Sequence, residues 1–505
     1  MLASIATFAI EGVESREVTV EVDLRRGLPV FTIVGLPDPA VREARERVRA
    51  ALLNSGLDFP LVRLTANLAP ADLRKAGPSF DLALAVAVLA ASGQVPPEGL
   101  GAVAVCGELS LSGGLRPVHG AVAIASGARR AGYPRLIVPV ENGPEASLVE
   151  GIDVLAVPTL ERMVDLLAGR WCPAPDSAAS VRTHERAGPD LADVRGQPDA
   201  RRALEIAAAG GHNLLMIGPP GVGKTMLARR LPAILPPPSF DEAVEITRVR
   251  SVVGLGDGQL ACDRPFRAPH HTISAPGLIG GGTVPRPGEI TLAHRGVLFL
   301  DELAEFSRAA LEALRQPLEA GHVDITRAQR SLRFPARFML IAACNGCPCA
   351  RVGGECTCND ADRARYQRRL SGPLLDRIDL VCSLQAGPAL ELVDGRDPPG
   401  EPSTAIRERV IAARERQRLR LSGSGALCNG DMDPTLTRRH VRLTTQLRSL
   451  LLTAAASGSL TARGQDRVLR LARTIADLDG RSVVEPVDVE QAIGYRLGSR
   501  TAVAA

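Results

Sequence analysis

The spacing of apolar and polar positions divides this chain into regions of different character. Over residues 1–168, strand-like runs such as Val18–Val22 and Val30–Val34 alternate with helical runs such as Ala40–Leu53, which predicts an α/β domain. The apolar stretch Met1–Ile10 has no basic segment before it and meets Glu11 at once, so a strand is expected there and not a signal peptide. Leu82–Ala91 is the purest apolar run and is far too short to cross a bilayer. In the middle of the chain Asn213–Ile217 reads as a buried strand and Thr225–Leu231 as a helix stopped by Pro232. Val297–Leu300 and Phe338–Ala343 read as two more apolar strands. His322–Phe334 alternates Val323 and Ile325, then Leu332 and Phe334, around Arg327-Ala328-Gln329-Arg330-Ser331, which predicts a β-hairpin with a basic tip. Ile406–Leu421 carries apolar residues at helical spacing among six arginines and two glutamates, a pattern expected to form a helix with a solvated charged face, the other reading being a track for DNA.

Two breaks in composition separate these regions. Gly169–Asp190 combines Pro, Ser and mixed charge around Trp171, the one tryptophan, and Ala386–Ser403 is rich in Gly, Pro and Asp. The expected organisation is a domain over 1–168, a linker over 169–189, a core over 190–385, a second linker over 386–403 and a helical domain over 404–500. A chain of 505 residues is long enough for each domain to bury its own core. The net charge of +4 is too small to argue for a nucleic-acid partner by itself. With no segment suited to a membrane, a cytoplasmic protein is expected. Five of the ten cysteines fall between Cys344 and Cys358, unlike a secreted disulfide framework.

Only two of the 60 basic residues are lysines, Lys75 and Lys224. Lys224 falls within Gly218-Pro219-Pro220-Gly221-Val222-Gly223-Lys224-Thr225, a full match to G-x-x-x-x-G-K-[ST], set between a predicted strand and a predicted helix. In that setting backbone N–H groups cradle the phosphates of ATP, Lys224 reaches the β- and γ-phosphates, and the Thr225 hydroxyl ligates Mg²⁺. Asp301 and Glu302 close the Val297–Leu300 strand, where the first can face the metal and the second the attacking water. Asn345, just past the Phe338–Ala343 strand, is a candidate to orient that water. Arg377, in Leu374-Leu375-Asp376-Arg377-Ile378-Asp379, has two readings: an ion-pair partner of Asp376 or Asp379, or an arginine that reaches a neighbouring subunit's site. Cys347-Pro348-Cys349 and Cys356-Thr357-Cys358 could close a tetrahedral Zn²⁺ site, or remain thiols on a loop, the C-x-C spacing being tighter than usual. His270 and His271, as chain neighbours, should point in different directions and belong to a structured insertion instead of a metal site.

Arg264-Pro265-Phe266-Arg267-Ala268-Pro269-His270-His271, Gly280-Gly281-Gly282, Pro287-Gly288-Glu289-Ile290, Leu292-Ala293-His294, Asp301-Glu302 and the Leu374–Asp379 motif together resemble the ComM/YifB family of magnesium-chelatase-like AAA+ ATPases. The resemblance runs over nearly the whole chain and implies a three-layer α/β core carrying the P-loop, followed by an all-helical lid. It implies that Asn345 is the sensor-1 residue and Arg377 an arginine finger acting in trans, hence a ring of probable hexameric order. Asp193-Val194-Arg195-Gly196-Gln197 resembles the family's adenine-side box, and Thr461–Arg467 the sensor-2 region, with Arg463 as first choice and Arg467 in reserve. The family likeness also implies a DNA motor, associated with branch migration of single-stranded or branched DNA in natural transformation. Arg327 and Arg330 at the hairpin tip would then track phosphates in a central channel, the other reading being a basic turn with no partner.

In the first domain, Gly77-Pro78-Ser79-Phe80-Asp81, then Gly107-Glu108-Leu109-Ser110-Leu111 and Pro117, resemble the Lon-type protease domain, whose serine is activated by a lysine. The lysine position falls on Val122, which cannot accept a proton, and nothing further marks neighbouring His119 as a base. Ser79 is expected to be a helix N-cap, and the domain a non-proteolytic platform for binding or assembly. A second function of a different class therefore stays open: an ATP-dependent protein remodeller of the magnesium-chelatase or Lon unfoldase type.

Overall fold

The computed structural model describes residues 1–173, 188–282, 285–327, 330–349, 351, 357–369, 372–385, 400–456 and 460–504. They form two compact units. The first takes the described residues of 1–184, 239–262 and 328–332, and the second those of 185–238, 263–327 and 333–505.

The first unit is built from β1 (Leu2–Glu11), β2 (Glu14–Arg25), β3 (Val30–Val34), β4 (Arg63–Ala69), β5 (Val103–Val105), β6 (Glu108–Leu109), β7 (Leu115–Arg116), β8 (Arg135–Pro139) and β9 (Asp153–Val157). Seven of these make one sheet in the order β3-β4-β2-β1-β5-β8-β9, and β6 pairs with β7 alone. The segment starting at Met1 is thus a strand, as its pattern predicted. Alternation sets the sheet's inner face: Leu64, Ala66 and Leu68 of β4 are buried while the residues between them are not. The Pro39–Asn54 helix begins where Asp38 accepts the Val41 N–H at 2.8 Å, and it buries Val41, Ala44, Val48, Ala51 and Leu52 along one stripe. The Asp81–Ala91 helix is buried on every side, which is why its sequence shows no polar face.

Ser79 is not the cap of that helix. It lies inside a 3₁₀ turn, Pro78–Phe80, that runs straight into the helix with no capping side chain, so the hydroxyl has no free helix end to serve. Val122 is fully buried in the Ala121–Arg130 helix. The Phe240–Val252 helix also belongs to this unit, although in sequence it follows the phosphate loop. Ser239 and Glu242 close its start as a capping box, and Ser251 O at its far end accepts the Gly120 N–H at 3.1 Å.

The second unit holds β10 (Leu214–Ile217), β11 (Phe266–Arg267), β12 (Gly280–Gly281), β13 (Arg286–Pro287), β14 (Val297–Leu300), β15 (His322–Arg327), residues 333–335 of β16 (Arg330–Pro335), β17 (Met339–Cys344) and β18 (Leu380–Ser383). Five form a parallel sheet in the order β11-β14-β17-β10-β18. Every residue of β10, β14 and β17 is buried, as a parallel sheet covered on both faces requires. β15 and β16 form the predicted hairpin. The helix after the phosphate loop runs Lys224–Ile234, so it passes through Pro232, which removes the N–H that would bond Ala228 O, and ends two residues later instead of stopping at the proline.

The chain then becomes helical, with Ser403–Arg420, Pro434–His440, Thr445–Ala456, Ala462–Leu478 and Pro486–Ala504. The arginines of Ser403–Arg420 divide: Arg418 lies exposed beside Glu415 on the expected solvated face, while others turn to the rest of the unit. Arg407 donates to Ala233 O, Arg414 to Ala208 O and Arg416 to Asp477 O, while Arg409 pairs with Glu205 and Arg420 with Asp477. Ala208 lies in the last turn of the Pro198–Gly210 helix, whose carbonyls lack intrahelical partners, so Arg414 neutralises a helix terminus. Charge spacing alone cannot distinguish such an inward-facing guanidinium from an exposed one. Among the described residues, no helix is long and apolar enough to cross a membrane.

Candidate nucleotide site

β10, β14 and β17 bring their carboxyl ends to one edge of the sheet, because Ile217 pairs with Cys344 and Leu300 with Ala342. The residues that follow each strand therefore converge: the Gly218–Gly223 loop, Asp301-Glu302 and Asn345. Gly218 must be glycine, since a Cβ there would lie 2.6 Å from Leu384 O. Gly223 takes a φ of +93° at the head of the Lys224–Ile234 helix, a conformation that favours glycine.

Lys224 is buried, and its Nζ donates to Gly218 O at 2.6 Å, Pro219 O at 2.7 Å and Asn345 Oδ1 at 3.1 Å. Burial holds the ammonium below its usual pKa, against the charges of Asp301 and Glu302, which pull it up. The Cys344 thiol is itself pushed up to about 12 by burial. Thr225 Oγ1 donates to Asp301 Oδ2 at 2.6 Å. A hydroxyl and a carboxylate in contact at a helix head beside a lysine are the donor set that suits Mg²⁺ together with a nucleotide's phosphates, so these residues can hold the ion. Glu302, in the left-handed region at φ +52°, aims its carboxylate elsewhere: Oε2 lies 3.2 Å from His271 Nδ1.

His271 was missed as a site residue, and its ring does not point away from that of His270. The two stack with centroids 4.1 Å apart, and His271 also meets Phe306 edge-on. Sequence gave no distance between position 271 and the end of β14, so nothing linked the histidine to the acid.

Arg377 pairs neither with Asp376 nor with Asp379. It bonds Glu319, while Asp376 lies near Arg496 at 3.8 Å and Asp379 takes Arg467 at 3.1 Å. Asn213 pins this end of the unit: its N–H donates to Asp379 Oδ2, its Nδ2 to Arg377 O, and its Oδ1 accepts from Leu340 N. Its signal in the sequence was a lone amide heading an apolar strand. Arg463 is exposed and lines a cavity of about 220 Å³ with Glu319, Pro434, Asp466, Arg467 and Arg470. Both sensor-2 candidates thus lie near Arg377 and its partner Glu319, and Arg467, the reserve, is committed to Asp379.

Cys347, Cys349 and Cys358 bring their sulfurs within 4.8 Å of one another. The side chains of Arg327 and Arg330, and all of Cys356, lie outside the described residues.

A five-stranded parallel sheet with a G-x-x-x-x-G-K-T loop, an Asp-Glu pair and an asparagine at one edge, followed by a helical domain, defines a P-loop ATPase of the AAA+ class. The profile of magnesium chelatase, subunit ChlI, matches residues 190–392, that of subunit ChlI of Mg-chelatase residues 20–142, and that of the ChlI C-terminal region residues 400–496. An uncharacterized protein of Mycobacterium tuberculosis (strain ATCC 25618 / H37Rv) is 46% identical over 97% of each chain. Protein YifB of Escherichia coli (strain K12) is 42% identical over 98% of this chain and 97% of its own. Competence protein ComM of Haemophilus influenzae (strain ATCC 51907 / DSM 11121 / KW20 / Rd) is 43% identical over the same shares. The chain belongs to the ComM/YifB family of magnesium-chelatase-like AAA+ ATPases.

Proposed function

We propose that this protein is an ATP-driven DNA translocase that works as a hexameric ring in the cytoplasm and drives branch migration on single-stranded or branched DNA during natural transformation. The observation that carries this reading is the 43% identity, over 98% of the chain, to a protein named for competence. In this reading the Gly218–Thr225 loop binds the phosphates of ATP, and Lys224 exchanges its carbonyl and Asn345 contacts for phosphate oxygens. Mg²⁺, held by Thr225 and Asp301, supplies charge neutralisation between phosphates. Glu302 takes the proton of the attacking water, Asn345 orients that water, and Arg377 and Arg463 stabilise the charge on a transferring phosphoryl group, Arg377 from a neighbouring subunit. Arg327 and Arg330 at the hairpin contact the DNA backbone without reading bases. The cofactor set is ATP and Mg²⁺, with zinc at the cysteine loop as a structural addition. Residues 1–168 serve as a non-proteolytic platform, 190–385 as the motor and 404–500 as the lid, joined by linkers at 169–189 and 386–403.

The matching ChlI profiles favour a second reading, a protein remodeller of the magnesium-chelatase type. ATPase rate with and without single-stranded DNA, in wild type and in an Arg327→Ala, Arg330→Ala double variant, separates the two. Stimulation that the double variant abolishes supports the DNA motor. A rate indifferent to DNA but raised by an unfolded protein replaces it with the remodeller.

A further inference from the structure

We infer that Cys347, Cys349 and Cys358 form a structural zinc site that fastens the loop running from Asn345 to the Asp360–Arg369 helix. The three sulfurs lie within 4.8 Å of one another, with Cys347 and Cys349 at 3.3 Å. A Zn–S bond of about 2.3 Å in a tetrahedron sets sulfurs about 3.8 Å apart, a spacing bracketed by the 3.3 Å of Cys347–Cys349 and the 4.8 Å that bounds all three pairs. An all-sulfur set favours zinc over the hard, oxygen-seeking Mg²⁺ used by the nucleotide site.

The location gives the clip a task. The loop leaves β17 at Asn345 and re-enters regular structure where Asn359 Oδ1 accepts the Asp362 N–H at 2.8 Å, at the start of the Asp360–Arg369 helix. Tyr366 of that helix is buried. Asn345 accepts from Lys224 Nζ at 3.1 Å, and the three cysteines lie between Asn345 and Tyr366 along the chain. A metal there ties Cys347 and Cys349, just past Asn345, to Cys358, just before the helix, and so keeps the Asn345 amide at the level of the phosphate loop. This last step rests on the nucleotide-site reading above; the presence of the metal does not.

Metal content of the purified full chain, after reconstitution with zinc and removal of excess, tests the site without nucleotide or DNA. About one zinc per chain is expected, falling to about one-tenth of that or less in Cys358→Ser and in the Cys347→Ser, Cys349→Ser double variant, while Cys262→Ser, elsewhere in the chain and exposed, keeps it. Because a serine variant can fail to fold, cobalt replaces zinc in the wild type as a second measurement. Thiolate-to-cobalt charge transfer with the visible bands of a tetrahedral ion is expected. No stoichiometric metal, zinc retained by Cys358→Ser, or an octahedral cobalt spectrum overturns the site. A DNA-indifferent ATPase that still carries its zinc would instead fault the motor reading alone.

Discussion

His271 Nδ1 lies 3.2 Å from Glu302 Oε2, so the acid that closes β14 is held by a ring from the segment that follows β11. The contact occupies one carboxylate oxygen and leaves the other for water. More than half of the Glu302 side chain's surface is exposed, so without this partner the carboxylate would sample several rotamers. His271→Ala is expected to lower kcat about tenfold with KM for ATP within about twofold, since orientation of the base is lost while phosphate contacts stay. Glu302→Gln should cost at least about 100-fold. Steady-state ATPase kinetics distinguish the two; a kcat unchanged in His271→Ala would mean the contact is incidental.

Lys224→Arg should fail as completely as Lys224→Ala. The ammonium sits among Gly218 O, Pro219 O and Asn345 Oδ1 at 2.6–3.1 Å, a cage matched to one compact cation with three donors. A planar guanidinium cannot place its fork there without moving the loop. Nucleotide affinity, read with a fluorescent ATP analogue, should fall by about 100-fold or more in both variants. Arginine binding as well as lysine would show that charge alone matters at this position.

Much of this site was legible in the chain. The P-loop, the Asp-Glu pair and the strand order's ingredients are local patterns, fixed by backbone chemistry over a few residues, and Asn345 was placed by its strand. What could not be read were pairings between distant segments. His271 meets Glu302 and Arg377 meets Glu319 only because the sheet order β11-β14-β17-β10-β18 folds those loops together. The arginines of Ser403–Arg420 show the same limit: a guanidinium that caps a carbonyl 206 residues away, as Arg414 does with Ala208, has the same sequence signature as one in water. Ser79 failed differently, since a 3₁₀ turn and a helix N-cap share the residues Gly, Pro and Ser.

Arg377 is held by Glu319 within its own chain, so its use in a neighbouring site would require exchange of that carboxylate for a phosphate. Arg377→Ala should bind ATP as the wild type does and lose about 1,000-fold in turnover. Mixed with Lys224→Ala, which cannot bind ATP, it should regain activity, because a mixed ring contains interfaces with an intact loop on one side and an intact arginine on the other. Activity of the mixture no greater than the sum of its parts would assign Arg377 to its own subunit.

The pairing of His212 with Asp379 predicts how stability depends on pH. His212 is fully buried, with Nε2 2.7 Å from Thr474 Oγ1 and Nδ1 3.8 Å from Asp379 Oδ2. Burial lowers its pKa below the ordinary range by more than Asp379 raises it. In the unfolded chain the same ring titrates near about 6.5, so below that pH the unfolded state takes a proton that the folded state refuses. The stabilisation is therefore complete above about pH 6.5 and is lost as pH falls toward the folded value. Asp379 acts in the same direction at lower pH. Burial alone would raise its carboxyl, but the neighbouring His212 ring and then the Arg467 charge hold it well below the carboxylate range. It contributes stability above about pH 3.9 that acidification removes. The thermal midpoint should thus fall in two stages, the first setting in below about pH 6.5. His212→Gln should lower the midpoint at neutral pH and flatten that first stage, leaving the second. A wild-type midpoint that stays level through the first window would show that the folded chain carries His212 protonated beside Asp379.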